Sequence, residues 1–185
     1  MLKVLITGHT KGIGKALAEC FANDGYEVIG FSRSEGNDIA SAAVRDKLLA
    51  KLAECDVFVN NAYLPDFQHE LLESAYNTYS NTDKYIIHIG SKIIDEDPKK
   101  LENHEWFITY YNNKTKSQEF IEKNLYGAKT ALRIINVIPG FIETDMTKHV
   151  DYKKIKVDKL ANFVYDVFKM RNDFLVEEVK INPSK

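Results

Sequence analysis

The chain has 185 residues, 44% of them hydrophobic and 28% charged, and its 25 basic side chains nearly balance 27 acidic ones to leave a net charge of −2. That length fits a single domain spanning 1–185 with a full core, and the ordinary proportions exclude a disordered or low-complexity chain. Balanced charge offers no broad surface for nucleic acid or an anionic membrane, and no apolar stretch is long enough to span a bilayer, so a cytoplasmic protein is expected.

In chain order, the apolar run Leu2 to Ile6 predicts a buried strand that enters the turn Thr7-Gly8-His9-Thr10-Lys11-Gly12-Ile13-Gly14. A helix follows from Gly12 to about Asp24, with Ile13, Leu17 and Phe21 on its apolar side, and Tyr26 to Phe31 forms the second strand. Further on, helical residues from Ser41 to Ala53 precede a strand at Asp56 to Asn60, and a helix near Phe67 to Tyr79 precedes one at Lys84 to Ile89. A helix from about Thr109 to Asn124 leads to a strand at Leu132 to Ile138, and a last helix from Val157 to Met170 leads to one at Phe174 to Ile181. Alternation of this kind, with continuous Val/Ile-rich strands, predicts an α/β fold of three layers: a doubly wound parallel sheet covered by helices on both faces.

In such sheets ligands sit beyond the carboxyl ends of the strands, and each predicted strand end here supplies a suitable residue: Gly8, Arg33, Asn60, Ser91 and Pro139-Gly140. The first of these opens an anion site, because a glycine turn running into a helix N-terminus aims free N–H groups and the helix dipole at a bound diphosphate. Its spacing is G-x-x-x-G-x-G. Tyr110 and Lys114 stand at i and i+4 at the predicted start of a helix, where an ammonium beside a phenol would favour the phenolate and bring it into the working range of an acid or base. Ser91 ends the preceding strand and can reach the same substrate oxygen. Cys20 and Cys55 form no C-x-x-C unit and the five histidines show no ligand spacing, so neither a redox role for the cysteines nor a metal is expected.

Taken together, these residues resemble the short-chain dehydrogenase/reductase family from Met1 to about Thr147. Thr7 to Gly14 matches the family's T-G-x-x-x-G-I-G loop, and Asn60-Asn61-Ala62 its N-N-A-G with Tyr63 in place of the glycine. Ile87 to Ser91 looks like the strand bearing the catalytic serine, Tyr110 and Lys114 like the Y-x-x-x-K pair, and Pro139-Gly140-Phe141-Ile142-Glu143-Thr144 like the P-G-x-x-x-T segment. The resemblance implies a Rossmann fold of about six to seven strands and reversible hydride transfer between a nicotinamide cofactor and a carbonyl or alcohol. Tyr110 would protonate the alkoxide, Ser91 would hold the carbonyl oxygen, and Lys114 would bind ribose hydroxyls. On the cofactor side it implies Gly8, Thr10, Lys11, Gly12, Ile13 and Gly14 in the loop, with Asp38 and Ile39 beside adenine. It also implies Asn60 and Ala62 beside the ribose, and Pro139, Gly140, Ile142 and Thr144 near the nicotinamide and phosphates.

NADP(H) is expected over NAD(H), because the second strand ends Phe31-Ser32-Arg33 with no carboxylate to accept from a ribose 2′-hydroxyl. Ser32, Arg33 and Lys11 can instead hold a 2′-phosphate. The chain departs from the family's pattern in several places. Only Ser34 to Asn37 separate Arg33 from Asp38, so the second helix of relatives is expected to be missing and Asp38-Ile39 to form at most a weakened edge strand. Gln68 falls nearest the place of the family's fourth-helix asparagine, with Asn77 less suited. The inserted residues Lys92 to Phe107 either shape the substrate pocket or form a surface excursion pinned by Trp106. A homodimer is implied by the resemblance, and the partner expected is a small carbonyl or alcohol. Two other readings are a non-catalytic NADP(H)-binding sensor on the same fold and, ranked last, a sugar-nucleotide epimerase or dehydratase, which needs a larger C-terminal part.

Overall fold

The computed structural model describes residues 1–101, 104–127 and 129–184. Six strands, β1 (Lys3–Thr7), β2 (Glu27–Phe31), β3 (Val57–Asn60), β4 (Tyr85–Ile89), β5 (Arg133–Pro139) and β6 (Glu178–Ile181), pair in parallel in the order β2-β1-β3-β4-β5-β6. Helices α1 (Gly12–Asn23) and α5 (Val157–Lys169) cover one face, while α2 (Ala42–Leu52), α3 (Phe67–Tyr79) and α4 (Glu105–Asn124) cover the other. This is the doubly wound architecture that the alternation predicts. The chain leaves β1 in one direction for β2 and in the other for β3, so a crevice opens beyond their carboxyl ends. Among the described residues no helix is long and apolar enough to cross a membrane.

Period-two alternation divides the sheet between its two faces. Val4, Ile6, Val57, Val59, Ile87, Ile135 and Val137 join Leu17, Phe21, Leu160, Val164 and Phe168 beneath α1 and α5. Leu5, Phe58, Ile86 and Ile134 join Leu48, Leu52, Leu71, Leu72 and Ile121 beneath the other three helices. Towards the carboxyl ends, that second face changes character. Asn60, His88 and Asn136 pair in register across β3, β4 and β5, each at most 1% exposed.

Three boundaries differ from the sequence expectation for identifiable reasons. Asp38 and Ile39 form no strand. The four residues before them are taken up by a 3-10 turn, Arg33–Glu35, closed by Gly36 at φ +77, leaving no length to run beside β2. Arg45 satisfies the carbonyls that a ladder would have used, donating to Ile39 at 2.8 Å and Ala40 at 2.9 Å. Helix α4 starts at Glu105 rather than at Thr109, so Tyr110 and Lys114 lie inside the helix instead of at its frayed start. The last strand begins only at Glu178, with Phe174 and Leu175 exposed ahead of it.

Candidate functional site

The glycine turn is built by contacts that tolerate no side chain. Gly8 has φ +70 and Gly12 φ +52, and a Cβ on Gly14 would lie 2.4 Å from the Gly8 carbonyl oxygen. Thr7 fixes the neighbouring strand end, its hydroxyl accepting from the N–H groups of Asn61 (2.9 Å) and Ala62 (3.0 Å), while the Asn61 amide donates back to the Thr7 carbonyl at 2.9 Å. Lys11 holds the N-cap position of α1 without a side-chain cap, and the first turn carries no acid. The helix dipole and its first N–H groups are therefore free for an anion. On the cleft side an added Cβ at Gly12 would meet only the Thr144 methyl, at 3.5 Å, so the turn and the segment after β5 face each other with room between them. These features fit a dinucleotide diphosphate.

At the end of β2, Thr10, Ser32 and Ser34 form a triangle of hydroxyls with oxygens 2.9, 2.9 and 3.2 Å apart. Arg33 is exposed beside it, as is Lys11. The nearby carboxylate of Glu35 lies 3.2 Å from His9 Nε2, and the His9 ring occupies the space above Gly30, where a Cβ would sit 2.1 Å from it. Sequence reasoning missed both Ser34 and the role of Gly30; an otherwise unexplained glycine inside a strand was the available signal.

The second half of the site lies on β4 and α4. Ser91 follows β4 and accepts from the Ile93 N–H at 3.3 Å. Burial pushes the phenol of half-buried Tyr110 above its ordinary range, and a hydrogen bond with Ser91 opposes that rise. Lys114 is 4% exposed and donates to Gln68 Oε1 and to the Ile89 carbonyl, both at 2.7 Å. Burial brings its pKa down to about 7. The expectation that its ammonium would pull the tyrosine down is corrected here: Nζ sits 5.4 Å from the centre of the Tyr110 ring, engaged in the interior, and the phenol goes up.

Gln68 is the contact that holds this lysine. Its amide N donates to the carbonyls of Asn60 (2.9 Å) and Ile89 (3.2 Å), so the side chain is fixed at both ends. The turn that delivers α3 to this place contains Asp66 at φ +65, and the Asp66 N–H donates to the Asn113 side-chain oxygen on α4. Tyr63 stands edge-on to Tyr110 with ring centres 4.6 Å apart, and its phenol is pushed up to about 12, first by burial.

Most of these residues share one cleft of about 1870 Å³, whose lining does not include Ser32, Arg33, Ser34 or Gln68. It is lined by Gly8, Thr10, Lys11, Gly12, Ile13, Ala62, Ser91, Tyr110, Lys114, Pro139, Gly140, Ile142 and Thr144. Asn61, Tyr63, Gly90 and Trp106 line it as well. Gly14 lies beneath the turn as packing. Asn60 is brought to the site's floor rather than its wall: it is fully buried and its amide donates to the Gln68 carbonyl at 2.9 Å and faces His88 Nδ1 at 3.3 Å. Ile39 is 5% exposed within the core, and Asp38 accepts from the Ala40 N–H at 3.0 Å, closing the turn ahead of α2. Residues 92–107 do line the cleft, through Lys92, Ile93, Asp95, Glu96, Leu101, Trp106 and Phe107. Glu102 and Asn103, within that insertion, lie outside the described residues. Among the described residues, no group of three or more His, Cys, Asp or Glu side chains gathers to hold a metal ion.

The fold and this crevice define a doubly wound α/β protein with its site at the strand carboxyl ends. Residues 4–84 match the model of the NAD dependent epimerase/dehydratase family. The 3-oxoacyl-[acyl-carrier-protein] reductase FabG of Escherichia coli (strain K12) is 28% identical over 183 residues, covering 78% of this chain and 75% of that protein. Among solved structures, the 3-alpha-hydroxysteroid dehydrogenase of Pseudomonas sp. B-0831 complexed with NADH superposes with a TM-score of 0.79 at 17% identity, over 97% of this chain and 95% of that one. A short-chain dehydrogenase of Sphingobium yanoikuyae in complex with NADPH gives 0.74 at 16% identity, over 98% and 87%. With the motifs in their order, the chain is similar to a reductase in sequence and to short-chain dehydrogenases in fold.

Proposed function

We propose that the protein is an NADP(H)-dependent oxidoreductase that interconverts a small carbonyl compound and its alcohol through Ser91, Tyr110 and Lys114. The observation that carries this reading is the convergence on one cleft of the uncapped glycine turn, Ser91, Tyr110 and the buried Lys114. A nicotinamide dinucleotide held by the glycine turn would supply the hydride for the carbonyl carbon. Ser91 donates to the carbonyl oxygen and orients it, and Tyr110 gives its proton to that oxygen as the C–O bond becomes an alkoxide. With its pKa near 7, Lys114 can replace the tyrosine proton from solvent without a large energetic step in either direction. Gln68 positions that lysine. The reductase likeness supports hydride transfer as the reaction class.

NADP(H) is favoured by the hydroxyl triangle of Thr10, Ser32 and Ser34 with Lys11 and Arg33 beside it, while the nearby carboxylate of Glu35 is engaged by His9. A 2′-phosphate would accept from all three hydroxyls and from the guanidinium fork. The test is NADPH oxidation against a panel of aldehydes and ketones, repeated with NADH and with Tyr110→Phe. Turnover that prefers NADPH and disappears in Tyr110→Phe supports the reading. Cofactor binding without turnover of any carbonyl overturns it. The Lys11→Ala, Arg33→Ala double variant is expected to lose NADPH affinity at least about tenfold more than NADH affinity. Equal losses remove the NADP(H) assignment.

A further inference from the structure

We propose that the substrate carries a flat aromatic ring on its reacting carbon, so that the site takes aryl ketones or aldehydes and the matching aryl carbinols. This deepens the oxidoreductase reading and rests on it. Reduction joins a hydride from the cofactor to the carbonyl carbon and a proton from Tyr110 to the oxygen, which places the carbonyl against the Tyr110 hydroxyl. A substituent on that carbon is then within reach of the side chains beside that phenol.

Those side chains are rings. Trp106 is one turn ahead of Tyr110 on α4 and lies nearly parallel to it, with centroids 5.1 Å apart and an interplanar angle of 10°. It is a large indole left 51% exposed, and it lines the cleft. Phe107 meets Trp106 edge-on at 5.1 Å, and Tyr63 meets Tyr110 edge-on at 4.6 Å, so four rings adjoin without a break. A second parallel pair lines the same cleft from the segment after β5: Phe141 and Tyr152, centroids 5.1 Å apart at 12°, are 39% and 69% exposed.

One feature of this wall favours an aromatic guest over a merely apolar one. Its exposed surfaces are ring faces and edges, which gain from offset or edge-on contact with another ring beyond what area burial gives. Among the described residues of the inserted segment, the cation that lines the cleft, Lys92, is paired with Asp95 at 2.5 Å; the lysines Lys148, Lys154 and Lys156 line the cleft on the Phe141 and Tyr152 side. A saturated ring of equal size would bury similar area but lacks the π face.

Trp106 is the chain's sole tryptophan, so its emission reports on this wall alone. The experiment titrates the cofactor-loaded protein with 1-phenylethanol and with 1-cyclohexylethanol while following Trp106 emission. In parallel it measures kcat/KM for acetophenone and cyclohexyl methyl ketone. A preference of about tenfold for the aryl compound is expected in both, the size of one good ring contact. Trp106→Leu is expected to bring the kcat/KM ratio close to one, and Trp106→Phe to restore most of it. Equal kcat/KM for the two ketones overturns the aryl proposal and leaves the reductase reading standing. Aryl-selective saturation of Trp106 emission without turnover of either ketone supports the aryl wall and counts against hydride transfer. Emission unmoved by both alcohols, with both ketones reduced, places the substrate elsewhere and overturns the proposal.

Discussion

On the α1/α5 face, the strands present Val4, Ile6, Val57, Val59, Ile87, Ile135 and Val137, and the helices answer with Phe21, Tyr165 and Phe168. On the opposite face the same strands begin with Phe58, Ile86 and Ile134 but end in Asn60, His88 and Asn136, with Gln68, His69, Lys114 and Ser117 packed beside them. Both faces are equally dry. Burying apolar area is worth about 25 cal/mol per Å², whereas a buried polar group contributes only if its partners are present. Among the described residues, Asn60 Oδ1, His88 Nε2 and Asn136 Oδ1 have no partner, so the second face gives up stability where it holds the lysine of the candidate site. The comparison shows an apolar core on both faces and places the candidate site at the polar rim of one.

The largest effect is expected at that rim. Tyr110→Phe keeps the ring contacts with Trp106 and Tyr63 but removes the proton donor. Turnover is expected to fall about 10²- to 10⁴-fold, with NADPH affinity retained in a binding titration. On the apolar face, Phe21 is fully buried against Tyr26, Tyr165 and Phe168, and Phe21→Ala is expected to cost about 3–5 kcal/mol in urea unfolding. A cost below about 1 kcal/mol would break the comparison.

Lys114 links the faces through pH. Its folded pKa of about 7 lies below the unfolded value of 10.5, so between those values the unfolded chain holds a proton that the folded one lacks. Its burial penalty is therefore full below pH 7 and recedes as pH rises to 10.5. The stability of the parent relative to Lys114→Met is expected to climb across that window, by at most about 1.4 kcal/mol per pH unit. A difference independent of pH would show that the lysine is charged inside the fold.

Gln68→Leu removes one of the two acceptors that Lys114 Nζ uses, and an acceptor favours the charged form. A kcat loss of about tenfold is expected, together with a pH–rate profile displaced to lower pH; a purely structural role would leave the profile in place. The smallest effect is expected at His88, which burial holds well below its ordinary pKa. As pH falls below about 6.5 the unfolded chain takes up a proton first, so the parent loses stability there. His88→Leu is expected to change stability at pH 7 by less than about 1 kcal/mol and to flatten that acid loss.

Much of this division can be read along the chain. The alternation of apolar strands and helices indicated six elements of sheet, and the glycine spacing from Gly8 to Gly14 located the turn, because backbone geometry there admits no side chain. The motif residues Ser91, Tyr110 and Lys114 were legible by spacing and strand position. The failure at Asp38-Ile39 has a cause that periodicity does not register: the turn Arg33–Glu35 uses up the length before it, and Arg45 on the following helix takes the carbonyls of a would-be edge strand. Likewise, the proximity of Asn60 to the ribose motif did not reveal that its amide would turn inward to the Gln68 carbonyl.

By itself, the sequence determined the layers of the fold, the place of the candidate site at the strand ends and the residue types proposed to move a proton there. These are set by local periodicity, glycine geometry and the fixed reach of a helical turn. Only the tertiary structure decided that Gln68 meets Lys114, that burial brings the lysine to about 7 and raises Tyr110, and that Trp106 lays its ring beside that tyrosine. Hydrogen bonding and desolvation between distant segments, and the side-chain rotamers that packing selects, are properties of the assembled molecule.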